Sequence, residues 1–435
     1  MKHLTTPMLL ATLLVTIQTP SALGQHQADS IKKGRLMPNG DVVMNDFQTL
    51  PIEQVLQEHR VKEVQSERLT SSISPVVVRQ NDPDGPKYQE GLGYRFLVYT
   101  AAYPGLCAMD DGKLVMTFST GGILTDGGYL RGGPKGRNGY VLFSDDDGLS
   151  WSQPRHVATM RGASPINLGG SRLMLRVGQE FLLFSEDAGQ SWSEPEPIPD
   201  LPDGRRISSD VALNGLVDDN FIAFIFYTQQ KAPATDLESV IRKYDTASHT
   251  WGDPSFLPAS WYSNEGAITQ ANNGDLVAVL RSSRPDIPLP GVPMPSDHWT
   301  GLICAISKNN GLTWSRPSVE LLYGHVHQSL LPLPDGRILM TYAARIGELD
   351  GRDYNGIEAV VSYDHGRTWD WKRRYILFRG TSGHMQAPQS VRRCDGKILT
   401  SFMHHSDFPW ATKEQKTGRL RYVPHVSVVI WSMDQ

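Results

Sequence analysis

The chain has 435 residues, of which 39 % are apolar and 20 % charged, with 40 glycines, 29 prolines and a formal net charge of −4. This is ordinary globular composition weighted towards turns, and the mild negative balance argues against a nucleic-acid partner. After the N-terminus no apolar run reaches the ~20 residues needed to cross a bilayer, so no membrane span is expected.

The first 24 residues read as a secretory signal. Lys2 and His3 make a basic start, Met8 to Ile17 an apolar core, and Ala22-Leu23-Gly24 offers small residues for cleavage before Gln25. The expected product is exported, either secreted or periplasmic. Residues 25–95 form an N-terminal extension. Within it Pro51 to Thr70 can make one helix, with Ile52, Val55, Leu56, Val61 and Val64 as its apolar positions. Cys107, Cys304 and Cys394 fall in predicted strands at no metal-like spacing; their odd number excludes a fully paired framework, and they read as core thiols.

Two interleaved repeats fill residues 96–435. One is Ser-x-Asp-x-Gly-x-(Ser/Thr)-Trp, at Ser144 to Trp151, Ser185 to Trp192 and Ser362 to Trp369. A copy at Ser307 to Trp314 carries Asn309 for Asp, and a worn copy from Tyr244 to Trp251 has lost its Gly. Asp or Asn can fold back onto nearby backbone N–H groups, Gly supplies positive φ, and Trp packs across neighbouring strands. These aspartates are therefore expected to be architectural. The second repeat is a turn between apolar runs, at Asp111-Gly112, Asp219-Asn220, Gly274-Asp275, Asp335-Gly336 and Asp395-Gly396, with Arg172 to Phe184 as a hairpin of the same kind. Pairing each hairpin with its following box gives six units, starting near residues 102, 163, 207, 264, 325 and 385. The last lacks a box and ends in Val426 to Trp431. A strand from before Tyr103 is expected to complete it.

The boxes resemble those of the sialidase (neuraminidase) superfamily, Asp-box or BNR-repeat propellers. The resemblance covers residues 96–435 and implies an all-β fold, a six-bladed β-propeller preceded by a short N-terminal extension. In such a blade the innermost strand starts at the ligand face, so starts of first strands and ends of second strands converge on one mouth, opposite the turns and boxes. Before the turns this picks out Tyr103, Asp210, Glu265, His325, His327, His384 and Gln386. After them it picks out Asp126, Arg281, Arg284, Arg345, His404 and His405.

Glu265 and Arg281 resemble the sialidase segment in which a Glu opens one strand and an Arg closes the next. The resemblance implies that Glu265 polarises a nucleophile and that Arg281, with Arg345 as a second member, grips a substrate carboxylate through paired hydrogen bonds. It also implies that Asp126, in the first-blade loop, is the general acid/base. Two features depart from the family. Ala102-Tyr103-Pro104 stands where the first arginine of the triad belongs, and no tyrosine lies near His384 to Pro388, where the nucleophile belongs. Either Tyr103 or another tyrosine moves in, or a histidine does the work, or the substrate is not sialic acid. His325 and His327 alternate onto one strand face, a geometry open to a metal, although sugar hydroxyls are the expected partners of His325, His327 and His384, and no cofactor or metal is expected. The expected activity is exo-acting release of a terminal, acidic, sialic-acid-like sugar from a glycan. The alternatives are a non-catalytic carbohydrate-binding propeller and a neutral-sugar or uronate-acting enzyme that uses His and Glu.

Overall fold

The computed structural model describes residues 41–44, 48–51, 62–63, 76–77, 95–99 and most of 101–433. Within 101–433 the stretches 121–137, 153–154, 159–163, 178–180, 209–214, 217–220, 230–236, 259–262, 283–300, 322–324, 350–351, 372–373, 380–384 and 407–422 lie outside the described residues. The signal segment and the Asp219-Asn220 turn are therefore not described.

Besides one hairpin of Asp41–Met44 with Gln48–Pro51, the strands form six sheets in chain order. Sheet 1 holds Ala101–Ala108, Leu114–Thr120, Asn138–Ser144 and Arg155–Ala158. Sheet 2 holds Pro165–Asn167, Leu173–Val177, Phe181–Ser185 and Glu196–Pro197. Sheet 3 holds Gly215–Leu216, Phe221–Gln229, Leu237–Asp245 and Thr250–Trp251, with Ser255–Phe256 beside its third strand. Sheet 4 holds Ser263–Gln270, Leu276–Ser282, Gly301–Ser307 and Ser318–Leu321. Sheet 5 holds His325–Pro332, Ile338–Leu349, Arg352–Ser362 and Tyr375–Arg379. Sheet 6 holds Gln386–Arg392, Ile398–Ser406 and Val423–Trp431, completed by Arg95–Tyr99, the strand expected from before Tyr103. These strands run antiparallel; Lys62–Glu63 and Val76–Val77 add parallel edges to sheets 5 and 6.

Strand alternation explains how the sheets pack. Successive side chains point to opposite faces, so a strand covered on both sides is apolar throughout. In sheet 4, Leu276, Ala278 and Leu280 join a core cluster with Ala223 and Ile225 of sheet 3. The alternate residues Val277 and Val279 join Met340 and Tyr342 of sheet 5. Clusters of this kind link sheets 1 and 2, 2 and 3, 5 and 6, and also 6 and 1. Each successive pair of sheets shares a core and the last shares one with the first, an all-β architecture compatible with propeller blades.

The boxes lie between the third and fourth strands of sheets 1 to 5. In each intact copy the Ser hydroxyl accepts the Gly N–H at 2.8 Å, as between Ser185 and Gly189, while Asp187 Oδ1 accepts Ser191 N at 2.8 Å. The Asn309 copy keeps the same frame, with Thr313 N on Asn309 Oδ1 at 2.9 Å; its amide donates to the Thr313 hydroxyl where Asp187 accepts from Ser191. In the worn copy the Tyr244 hydroxyl instead donates to Glu196 at 2.6 Å. Each box Trp reaches past its own sheet into the cluster shared with the preceding one: Trp151 towards sheet 6, Trp314 towards sheet 3, Trp369 towards sheet 4.

Three expectations change. Within Pro51 to Thr70, Pro51, Lys62 and Glu63 lie in strands and not in a helix, since pairing to a neighbour overrides the weak apolar periodicity; the rest lies outside the described residues. Arg172 to Phe184 is the second hairpin of sheet 2, and the first turns at Gly169-Gly170, both at positive φ. Cys394 is exposed, because its strand ends at Arg392 and it enters the turn, whereas Cys107 and Cys304 are buried.

Candidate functional site

Four first strands break their ladders at the same place. Register shifts fall between Ala102 and Gly105, Asn264 and Ala267, Val326 and Ser329, and Gln386 and Gln389. In each bulge one residue has positive φ: Tyr103 at 53°, Glu265 at 47°, His327 at 53° and Ala387 at 49°. Each lies nine positions before the positive-φ glycine of the next turn: 103 and 112, 265 and 274, 327 and 336, 387 and 396. A left-handed backbone at a non-glycine residue costs about 1–2 kcal/mol, and bulges re-aim side chains next to sites. Recurrence in sheets 1, 4, 5 and 6 makes this a feature of the blade, and the residue placed there varies from sheet to sheet.

At the sheet 4 bulge the Glu265 carboxylate is 5 % exposed. Arg281 Nη1 donates to its Oε1 at 2.7 Å, because Arg281 pairs with Asn264 across the ladder just before the bulge. His327 Nε2 lies 3.6 Å from the same oxygen, an electrostatic contact and not a hydrogen bond. Among the described residues the buried Glu265 Oε2 has no hydrogen-bond partner. A buried carboxylate needs a compensating charge, and the guanidinium provides it. The second oxygen is left as an acceptor for a donor brought by a ligand or by water.

Glu265, Arg281 and His327 are thus brought together. His325 is fully buried on the same strand, its ring 5.0 Å from that of Tyr342. Arg345 is 3 % exposed and reaches towards sheet 6, donating from Nε to Met385 O at 3.0 Å. Tyr103 is 2 % exposed at the bulge of sheet 1. Asp126 and His384 lie outside the described residues, as do Asp210, Arg284 and the His405 side chain. His404 is in the core and not at a mouth: it shares the sheet 5 face of its strand with Phe402, packs on Phe378, and meets Ser427 Oγ at 3.0 Å. Burial pulls its pKa down to about 3, so it stays neutral. Among the described residues no cluster of His, Cys, Asp and Glu could hold a metal.

Sequence reasoning missed two groups. Gln328, 1 % exposed, donates from Nε2 to Glu265 O at 2.5 Å and to Val279 O at 2.7 Å. The nine-residue spacing to the turn glycine marks its bulge in sequence. Tyr342, by contrast, is sealed between sheets 4 and 5, where its hydroxyl donates to Glu358 at 2.8 Å. Burial and then the Glu358 charge push its pKa well up, so this tyrosine supplies no reactive phenolate.

A cleft of about 400 Å³ lies at the other end of the strands, lined by Asp111, Lys113, Asp146, Asp147 and Cys394 among others. Its carboxylates are engaged within the scaffold, Asp147 accepting Cys394 N at 3.2 Å and Asp145 meeting Lys113 Nζ at 3.3 Å. Asp111 accepts Lys113 N at 3.0 Å and Asp146 accepts Ser150 N at 2.7 Å, so the cleft is part of the scaffold.

The fold is related at low identity to solved sialidase structures. A protein of unknown function from Dyadobacter fermentans aligns over 86 % of this chain and 100 % of its own, at 17 % identity and a TM-score of 0.59. The NanB sialidase of Streptococcus pneumoniae aligns over 76 % of this chain and 68 % of its own, at 13 % identity and a TM-score of 0.51. A leech intramolecular trans-sialidase aligns over 77 % and 68 %, at 11 % identity and a TM-score of 0.50. No protein-family model and no curated protein matches the sequence. At these identities the likeness concerns the fold alone.

Proposed function

We propose that this chain is an exported, exo-acting glycoside hydrolase on a six-bladed β-propeller, releasing a terminal acidic sugar from glycans. The observation that carries the reading is the Glu265 carboxylate. It is buried at a bulge of a first strand, charge-compensated by Arg281 and flanked by His327, and among the described residues nothing donates to its second oxygen. Such a group can act as base or activate a nucleophile once substrate excludes water. In this reading Asp126 is the general acid, Tyr103 the candidate nucleophile, Arg281 and Arg345 the anchors of a substrate carboxylate, and His325, His327 and His384 the contacts to sugar hydroxyls. The fold likeness to sialidases supports a carbohydrate substrate.

The test is a panel of aryl glycosides that includes a sialoside and a glucuronide, run on the wild-type protein and on Glu265→Gln. Turnover of an acidic glycoside that falls at least about 100-fold in Glu265→Gln is expected, the usual scale for general acid–base groups. No turnover of any glycoside, with saturable glycan binding, would instead make the protein a carbohydrate-binding propeller.

A further inference from the structure

We infer that Gln328 is the positioning residue of the site: it sets the pose of Glu265 through the main chain. The inference rests on Glu265 being the working carboxylate.

A bulge leaves main-chain groups without their ladder partners, and a buried carbonyl without a donor is costly. At sheet 4 the ladder is interrupted between Asn264–Arg281 and Ala267–Val279, which spans Glu265. The carbonyl groups of Glu265 and Val279 flank that gap, and both accept from the Gln328 amide nitrogen. This donor comes from the next sheet. Gln328 sits in the bulge of sheet 5, between Val326–Ala343 and Ser329–Thr341. Strict alternation would turn Gln328 with Val326 towards sheet 6, where Val326 packs. The bulge turns it with His327 towards sheet 4. One irregular strand thereby supplies the donor that the neighbouring irregular strand lacks, and the two bulges hold each other. Two carbonyl acceptors on one nitrogen also fix which end of the amide is which.

Consecutive residues therefore divide the work. His327 faces the carboxylate and Gln328 holds the backbone that carries it. Sheet 6 has a counterpart that makes the useful control: Gln389 accepts from Leu106 N and donates to Ser164, joining sheets 6, 1 and 2 without touching Glu265.

The experiment compares Gln328→Met and Gln389→Met, near-isosteric changes that remove donors, by crystal structure, melting temperature, and kcat and KM on the best substrate of the panel. In Gln328→Met the Glu265 carboxylate is expected to leave Arg281 and kcat to fall by about 10–100-fold with KM within about threefold, the signature of a misplaced group. Gln389→Met is expected to lower the melting temperature comparably and to leave the Glu265–Arg281 contact in place. Gln328→Glu, whose carboxyl can donate one of the two bonds when protonated, should fall between wild type and Gln328→Met and serves if the latter does not fold. Retention of the Glu265–Arg281 contact with kcat within threefold of wild type would overturn the inference. If wild type turns over no substrate, the functional reading falls, and the position of Glu265 in the variant structures alone decides this one.

Discussion

The two ends of the blades use the same backbone device to opposite effect. At the box end a positive-φ residue precedes the box glycine in every intact copy: Asp147, Ala188, Asn310 and His365. The hydrogen bonds around it repeat almost atom for atom, and the Asp carboxylates are spent on their own turns. At the bulge end positive φ recurs at Tyr103, Glu265, His327 and Ala387, four different residue types on one geometry. The positive-φ residue varies at both ends, but at the box end its Ser, Asp or Asn, Gly and Trp neighbours repeat, and there the blade is being built. At the bulge end the neighbours vary as well, and there the blade is presenting something.

Substitutions at the two ends should therefore fail in different ways. The largest loss of stability is expected at the boxes. Trp369→Ala should cost about 3–5 kcal/mol, because the ring fills the core between sheets 4 and 5. Urea unfolding measures this, and the kcat of the protein that remains folded should hold. Loss of activity at an unchanged unfolding midpoint would place the box in the site and erase the comparison.

Arg281→Lys is next. A lysine lacks the planar fork, so about 1.5–3 kcal/mol of kcat/KM on an acidic substrate should disappear. Because Arg281 also holds Glu265, a neutral analogue should lose part of its rate too, and only the difference between the two substrates reports on the carboxylate. Equal losses would assign Arg281 to Glu265 alone.

Much of this division was legible in the sequence. The boxes and turn pairs recur at spacings that gave six units, since turn chemistry is local and repeats with the blade. Glu265 and Arg281 were found from their places at a strand start and a strand end and from their resemblance to the sialidase segment, and the two do meet across one hairpin. The reach of each box Trp into the preceding sheet was not legible, because it depends on how sheets stack. Nor were the bulges read, since Tyr103, Glu265, His327 and Ala387 share no side-chain chemistry. Its place near the end of a second strand put His404 at the mouth, whereas side-chain alternation, which sets it on the face of Phe402, puts it in the core.

That core histidine gives the smallest expected effect. Its folded pKa of about 3 lies below the ordinary 6.5, so the unfolded chain takes up a proton that the native state refuses. Its stabilising share is complete above about pH 6.5 and declines as pH falls towards 3. His404→Phe should narrow the gap in melting temperature between pH 7.5 and pH 5. An unchanged gap would mean that other groups govern acid sensitivity.

The most direct test pairs one variant from each end. On the substrate that wild type turns over best, kcat/KM and melting temperature are measured for Glu265→Gln beside Trp369→Ala. The account predicts that Glu265→Gln loses at least about 100-fold in kcat/KM, with some fall in melting temperature because Arg281 loses its buried counter-charge. Trp369→Ala should lose melting temperature and keep the kcat/KM of the protein that remains folded. A Glu265→Gln protein with wild-type turnover would contradict the account, because the carboxylate at the bulge would then do no chemistry.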